Sequence, residues 1–297
     1  MDQTINLDGI LRVSLMGGQA RAFLIDSTRM VDEARRVHNL SRTATAALGR
    51  LLTGASIMGC MLKNDRDSLT ATIKGGGPLG TVMAVARADG TVKGYVDNPD
   101  LELPLRADGK LDVGRAVGKH GQLTIIKDMG MKEPYVGMVN LRSGEIGEDL
   151  AMYFTASEQT PSLVSVGVLT NNTVVAAGGL VVQIMPGCSE VALKSIEYSA
   201  PMFMNISGTI QEYGLNGAYQ QLLSHLEPEI IGTARPRYLC DCSRDRFERG
   251  LISLGRDELT NLINEDHGAE LSCHFCNRTF RFTEKQLVSL LEQATRQ

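Results

Sequence analysis

Four cysteines near the C-terminal end of the chain are the residues whose types and spacing are best suited to chemistry. Cys240 and Cys242 are separated by one residue, and Cys273 and Cys276 are separated by two. Side chains at positions i and i+2 of an extended chain project to the same side, and a two-residue gap is typical of a metal-binding knuckle. Because four thiolates complete the tetrahedral shell that zinc prefers, the spacing predicts one zinc ion in the reduced protein.

The other possible ligands and thiols fit less well. His267 and His274 could replace a thiolate, but four cysteines already fill the shell. Cys60 and Cys188 stand alone in the sequence. A lone buried thiol is usually inert, so Cys60 is predicted to be a core residue. Cys188 follows a Pro-Gly turn and could form a non-native bridge, although a bystander role is the better interpretation.

The four clustered thiols could also form a redox switch. Zinc holds cysteine sulfur as thiolate, which is the form that oxidants attack. Each doublet has a partner within reach, Cys240 with Cys242 and Cys273 with Cys276, and a bridge across one intervening residue is expected to be strained and readily reduced. Zinc supplies on the order of 10 kcal/mol of folding free energy to such a module, so metal loss should unfold it. The spacing leaves open whether the metal is regulatory or only structural.

The chain between the two doublets must hold structure of its own. It is 30 residues long, whereas an ordinary zinc ribbon has about 15 to 20 residues there. Its apolar spacing predicts one helix that ends at Gly255 and a second helix after it. Beyond the second doublet, residues 280–282 are strand-like, and Thr283 with Gln286 forms a capping box that opens a terminal helix.

The elements before this module predict an α+β protein with a sheet-rich core. Two strand-like segments at residues 11–16 and 20–26 precede two helical segments. Short β-like runs punctuated by glycine then extend over residues 69–139. We therefore predict three parts: an α+β core domain with covering helices over residues 1–186, a helical linker arm over 187–235, and a C-terminal zinc-binding module over 236–297.

Charge and motifs exclude several classes of function. The formal net charge of -4 provides no global positive field for nucleic acid or anionic lipid. Residues 159–189 carry no charge, but a polar turn and many β-branched residues predict a buried hairpin instead of a membrane span. The glycine-rich turn at 75–80 is not followed by Gly-Lys-Ser/Thr and is interpreted as a connecting turn. The first 13 residues show no secretory signal, so we expect a cytoplasmic protein.

Several longer motifs resemble one known family. They are GYVDNP at 94–99, KLDVGRAVGKHGQLTIIKDMG at 110–130, SGEIGEDLAMYFTASEQTPS at 143–162, AAGGLVVQIMPG at 176–187, CDC at 240–242 and CHFC at 273–276. Along nearly its whole length the sequence is similar to the thirty-three-kilodalton heat-shock protein family, a group of redox-regulated bacterial chaperones. The four ligand positions show no departure from the family pattern.

This resemblance implies a cytoplasmic, ATP-independent holdase chaperone. In the family, thiolates at the positions of Cys240, Cys242, Cys273 and Cys276 bind zinc in the inactive, reduced state. Oxidation forms disulfides within each doublet, expels the metal and unfolds the zinc module with its adjoining linker. The oxidised protein forms a homodimer and captures unfolding client proteins, which pass to ATP-dependent chaperones after reduction.

The apolar residues between the doublets are the candidate client surface. Only the module and the core could bury them, so we expect zinc loss to free them. We hypothesise that clients bind these residues and the face of the core on which they dock. They are Phe247, Leu251, Ile252, Leu254, Leu259, Leu262 and Ile263. For each residue taken alone, ordinary helix packing is the alternative interpretation.

Two other functions remain open from the sequence. A constitutive zinc-ribbon protein would need its metal for activity in the reduced state. The arginines between positions 235 and 249 favour such a nucleic-acid or protein binder, but the acids interleaved with them indicate a salt-bridged, solvated face. A thiol-disulfide oxidoreductase is compatible with Cys273-x-x-Cys276, although no thioredoxin-like βαβ context surrounds it. No Ser-His-Asp or paired-carboxylate site is evident, so we do not expect an enzyme.

Overall fold

The computed structural model of the protein describes residues 9–294. The chain divides into two compact units, Met1–Leu239 (unit 1) and Cys240–Gln297 (unit 2). Most of the N-terminal segment that argues against a secretory signal lies outside the described residues. Within residues 9–294, no helix is both long enough and apolar enough to cross a membrane.

Unit 1 alternates short strands with helices. In chain order its elements are β1 (Ile10–Leu15), β2 (Ala20–Asp26), α1 (Thr28–His38), α2 (Arg42–Gly59), β3 (Ser68–Lys74), β4 (Thr81–Arg87), β5 (Thr91–Val96), α3 (Val113–Val117), β6 (Gln122–Asp128), β7 (Tyr135–Asn140), α4 (Gly147–Ala156), β8 (Ser162–Thr170), β9 (Val174–Ile184), α5 (Glu190–Phe203), α6 (Ile206–Leu223), β10 (Glu229–Ala234) and β11 (Arg237–Tyr238).

The strands of unit 1 form two sheets. The five-stranded sheet has the order β10-β1-β2-β9-β8, and all its neighbours are antiparallel. The six-stranded sheet has the order β11-β5-β4-β3-β6-β7, in which β11 and β5 pair in parallel. Successive strands pair because short turns join them, as in β3-β4-β5 and in the predicted hairpin β8-β9. These sheets with their helices confirm the predicted α+β fold class.

Helix α2 forms the centre of the core of unit 1. It packs against β4 and β5 of one sheet and against β8 and β9 of the other. Nearly all of its side chains are buried, as its small and apolar composition on every face predicts. Ser41 caps its first turn by accepting a 3.1 Å hydrogen bond from the Ala44 N–H. At the other end, a Cβ on Gly59 would lie 2.4 Å from the Arg87 carbonyl oxygen, so this close approach requires glycine.

The segment predicted as a separate linker arm, residues 187–235, is grouped with unit 1 in the structure. Its helices α5 and α6 form as expected, but α6 packs on β9 and β10 pairs with β1. Apolar side chains of α6, including Ile210 and Leu222, join a buried cluster with Leu11 and Val13 of β1. These contacts join segments about 200 residues apart in the sequence. The hydrophobic pattern within each segment does not reveal them.

The last residues before unit 2 also belong to unit 1. β11 pairs with β5, and the Leu239 N–H donates a 2.8 Å hydrogen bond to the Val92 carbonyl. The Tyr238 hydroxyl donates to the Gly94 carbonyl at 2.7 Å and lies 2.8 Å from Nε2 of His38. The division therefore falls after Leu239, whereas the sequence places the start of the zinc module at residue 236.

Unit 2 is a small α+β unit with its own apolar core. Its elements are α7 (Arg244–Ser253), α8 (Arg256–Asn264), β12 (Gly268–Ser272), β13 (Thr279–Thr283) and α9 (Glu284–Ala294), with β12 and β13 forming an antiparallel pair. Gly255, at φ +94°, makes the sharp turn between α7 and α8. The buried core residues are Leu251, Leu259, Ile263, Phe282, Leu287 and Leu290.

Candidate metal centre

Two loops of unit 2 position the four cysteines. Cys240 and Cys242 lie in the extended chain just before α7, whose first turn is capped by Ser243. Cys273 and Cys276 lie in the connection between β12 and β13. There the Cys273 carbonyl accepts hydrogen bonds from the N–H groups of Cys276 at 3.3 Å and Asn277 at 2.8 Å, while the Cys273 N–H donates to the Arg278 carbonyl at 2.9 Å. These bonds make a tight knuckle.

The four sulfurs converge with the geometry of a metal site. All four lie within 4.8 Å of one another. The Sγ atoms of Cys240 and Cys273 are 3.7 Å apart, and those of Cys242 and Cys276 are 3.4 Å apart. A tetrahedron with zinc–sulfur bonds of about 2.3 Å has edges of about 3.8 Å. The thiols therefore fit one tetrahedral metal ion, and these two contacts join one doublet to the other.

The thiols differ in acidity when no cation is present. Burial, together with the neighbouring thiols, raises the pKa of Cys242, and burial is also the main cause of the raised pKa of Cys240. Burial would raise the pKa of Cys276 too, but hydrogen bonds from the Arg278 backbone and from the other three thiols outweigh it and lower that pKa. The thiolate is therefore easier to form at Cys276 than at Cys240 or Cys242, and further thiolates need a cation to offset their repulsion.

The other candidate residues lie apart from this group. Among residues 9–294, the grouping of potential metal ligands contains the four cysteines and neither histidine. His267 points Nδ1 to within 3.5 Å of a Glu284 carboxylate oxygen, and His274 is exposed. Cys60 and Cys188 lie in unit 1, where burial raises the pKa of the Cys60 thiol.

The predicted client-surface residues contribute to the core of unit 2 to different degrees. Leu251, Leu259 and Ile263 are buried in it. Phe247, Ile252 and Leu262 are partly buried and pack against it. Leu254 is 55% exposed. Six of the seven residues are thus held in apolar packing while unit 2 is folded.

Arg244 is a residue whose role the sequence did not reveal. Its guanidinium carbon lies 4.3 Å from the centre of the Phe282 ring, and the group bonds Glu248 of its own helix at 3.1 Å. It also donates to the Arg281 carbonyl and to the Gln286 side chain. Arg244 follows Cys242 by two residues, so these contacts tie the first cysteine loop to β13 and α9. In the sequence it is one of the arginines between positions 235 and 249, which are interpreted as part of a salt-bridged, solvated face.

Fold and site together define a two-unit α+β protein whose small C-terminal unit carries four thiols that are able to hold one metal ion. The sequence model of the family described as "Hsp33 protein" matches residues 8–283. The chain therefore belongs to the Hsp33 family of chaperones, as the sequence motifs indicate.

Individual relatives agree along nearly the full length. The chain is 45% identical to the 33 kDa chaperonin of Alkaliphilus metalliredigens, covering 96% of this chain and 98% of that protein. It is 43% identical to the 33 kDa chaperonin of Clostridioides difficile, with 96% and 99% coverage. The crystal structure of the 33 kDa chaperonin from Thermotoga maritima superposes with a TM-score of 0.89 at 35% identity, covering 98% of this chain and 100% of that one.

Proposed function

We propose that this protein is a redox-regulated, ATP-independent holdase chaperone of the cytoplasm, inactive while Cys240, Cys242, Cys273 and Cys276 hold one zinc ion. The observation that carries the proposal is the convergence of these four thiols within 4.8 Å in a unit whose described residues include only six buried apolar core side chains. So small a core supplies little stability by itself. Membership of the Hsp33 family supports the chaperone part of the proposal.

The four ligands are also the oxidisable groups. Zinc, when bound, would keep all four sulfurs as thiolates and join the two loops that carry them. Hydrogen peroxide converts one thiolate to a sulfenic acid and releases hydroxide; a second thiol then displaces the added oxygen as water and forms a disulfide. Two such reactions leave no thiolate ligand. We propose that the disulfides form within the doublets, Cys240 with Cys242 and Cys273 with Cys276.

Loss of the ligands would release the apolar core of unit 2. Leu251, Leu259 and Ile263 would become exposed, and the packing of Phe247 against Phe280, whose ring centres are 4.6 Å apart, would be lost. We propose that these side chains, with Ile252, Leu254 and Leu262, capture unfolding client proteins. The oxidised protein would act as a homodimer and pass its clients to ATP-dependent chaperones after reduction.

The experiment is to follow zinc release and client aggregation in one sample. Light scattering of a heat-unfolding client is recorded with the fully reduced protein and again after treatment with peroxide or hypochlorite, while a colorimetric chelator reports free zinc. We expect zinc release and suppression of aggregation only after oxidation. The variant Cys188→Ser is the matched control and should behave as the unaltered protein, whereas Cys273→Ser should not retain zinc.

Two outcomes would contradict the proposal. Client protection by the reduced, zinc-loaded protein would favour a constitutive binding module. Zinc release by oxidation without client protection would leave the metal site with a structural role alone.

A further inference from the structure

A basic cavity in unit 1 lies outside the cysteine site. It has a volume of about 820 Å³ and is lined by Thr72, Lys74, Met83, Lys119, His120, Gly121, Gln122, Thr124 and Asn140. Small-molecule sites commonly have volumes of about 300 to 1,000 Å³. Nothing in the proposed holdase activity uses this cavity.

The register of the six-stranded sheet explains which side chains meet there. Lys74 of β3 pairs with Gln122 of β6, which pairs with Asn140 of β7. The next rung on the same face joins Met83, Thr72 and Thr124. The residues between these rungs, such as Ile73 and Leu123, point to the opposite face and are buried in the core. The outward face at this end of the sheet therefore carries amide and hydroxyl groups beside an apolar Met83.

A fixed loop brings two further cationic or titratable groups to this face. A Cβ on Gly121 would lie 1.8 Å from the Lys74 carbonyl oxygen, so only glycine lets the loop 118–121 pack on the end of β3. The His120 N–H donates a 3.0 Å hydrogen bond to the Gly75 carbonyl. These backbone contacts hold Lys119 and His120 next to Lys74, and they do not depend on flexible side chains.

The charge of the cavity is of one sign. Among the described residues that line it, Lys74 and Lys119 are cations and none is acidic. No ion pair within residues 9–294 engages either lysine. The chain as a whole has a net charge of -4. Two unpaired lysines around a concave surface complement an anion with more than one negative charge.

From these observations we propose that the cavity binds a phosphorylated sugar. Lys74, Lys119 and His120 contact the phosphoryl group. The hydroxyl and amide groups of Thr72, Thr124, Gln122 and Asn140 bind the sugar hydroxyls, since these side chains can both donate and accept hydrogen bonds. Met83 supplies an apolar surface for the body of the ligand. The site differs from a phosphate loop, because no helix N-terminus contributes to it.

Calorimetric titration of the full-length, reduced, zinc-loaded protein tests this assignment. Ribose 5-phosphate is the probe, and ribose and inorganic phosphate are titrated in parallel. We expect saturable binding of ribose 5-phosphate, no detectable binding of ribose, and binding of inorganic phosphate weaker by about tenfold or more because the sugar contacts are lost. Affinity should fall as ionic strength rises, since the lysines are exposed.

Matched lysine variants locate the site. Lys74→Gln combined with Lys119→Gln should weaken binding of ribose 5-phosphate by about tenfold or more. Lys110→Gln combined with Lys132→Gln removes the same charge from exposed positions of unit 1 outside the cavity and should leave the affinity unchanged. All four side chains are exposed, so folding should be preserved, which circular dichroism verifies.

Three results would overturn the assignment. They are no binding of ribose 5-phosphate, equal losses in both double variants, and inorganic phosphate binding as tightly as ribose 5-phosphate.

Discussion

Leu259→Ala should loosen unit 2 without unfolding the zinc-loaded protein. The Leu259 side chain has 0% exposure and packs in the buried cluster with Leu251, Ile263, Phe282, Leu287 and Leu290. Truncating a buried leucine to alanine costs about 2 to 5 kcal/mol. A unit as small as Cys240–Gln297, with so few buried apolar side chains, has little folding free energy of its own without metal. The substitution therefore removes a large share of the folding free energy that unit 2 has once the metal ligands are lost.

Zinc should mask this loss in the reduced state. Metal binding by four thiolates adds on the order of 10 kcal/mol, which exceeds the cost of the substitution. Unit 2 of the variant should therefore stay folded but open more often, by about 30-fold or more, because each 1.4 kcal/mol is a factor of ten. More frequent opening exposes the thiolates, so activation should require less peroxide than in the unaltered protein.

Native-state hydrogen exchange of the reduced, zinc-loaded protein measures the opening directly. The amides of α8 and of the β12–β13 pair report on unit 2, and zinc transfer to excess chelator provides an independent rate. Leu254→Ala is the matched control, since this leucine is 55% exposed and its truncation should change stability by less than about 0.5 kcal/mol. If Leu259→Ala exchanges within twofold of the unaltered protein, the apolar core does not stabilise unit 2 and the reasoning fails.

Three further predictions concern the thiols and the end of unit 1. In reduced protein from which a chelator has just removed the metal, and while unit 2 is still folded, Cys276 should be alkylated faster than Cys242 between pH 6 and 9, because the pKa of Cys276 is lowered and that of Cys242 is raised; mass spectrometry of quenched samples compares the two rates. After peroxide treatment, peptide mapping should find Cys240 joined to Cys242 and Cys273 joined to Cys276. Tyr238→Phe should destabilise unit 1 by about 1 to 3 kcal/mol in urea unfolding, since it leaves the Gly94 carbonyl without its 2.7 Å donor.

Each of these predictions has a distinct contrary result. Equal alkylation rates at the two thiols would mean that the hydrogen bonds around Cys276 do not set its acidity. Bridges between Cys240 and Cys273, or between Cys242 and Cys276, would show that proximity in the folded state governs pairing. For the tyrosine, Tyr198→Phe is the control because that side chain is 86% exposed; equal stability of the two variants would refute the proposed anchoring role.

The sequence alone predicted the fold class and which four thiols lie together. The spacing of Cys240, Cys242, Cys273 and Cys276 restricts which sulfurs can share a tetrahedral shell, and the structure brings those four together. Strands, helices and the uncharged hairpin follow from periodicity and turn residues, which act over a few positions. These are local properties, and local properties can be read from a chain without its partners.

Only the tertiary structure decided how distant segments combine. Residues 229–234 form β10 because β1 offers a free edge, and the segment predicted as an arm is thereby joined to unit 1. The contacts of Arg244 with Phe282 and Gln286, and the meeting of Lys74 with Lys119, likewise depend on pairings between remote positions. Such pairings reflect the burial and hydrogen bonding of the whole chain, so no local pattern of residues specifies them.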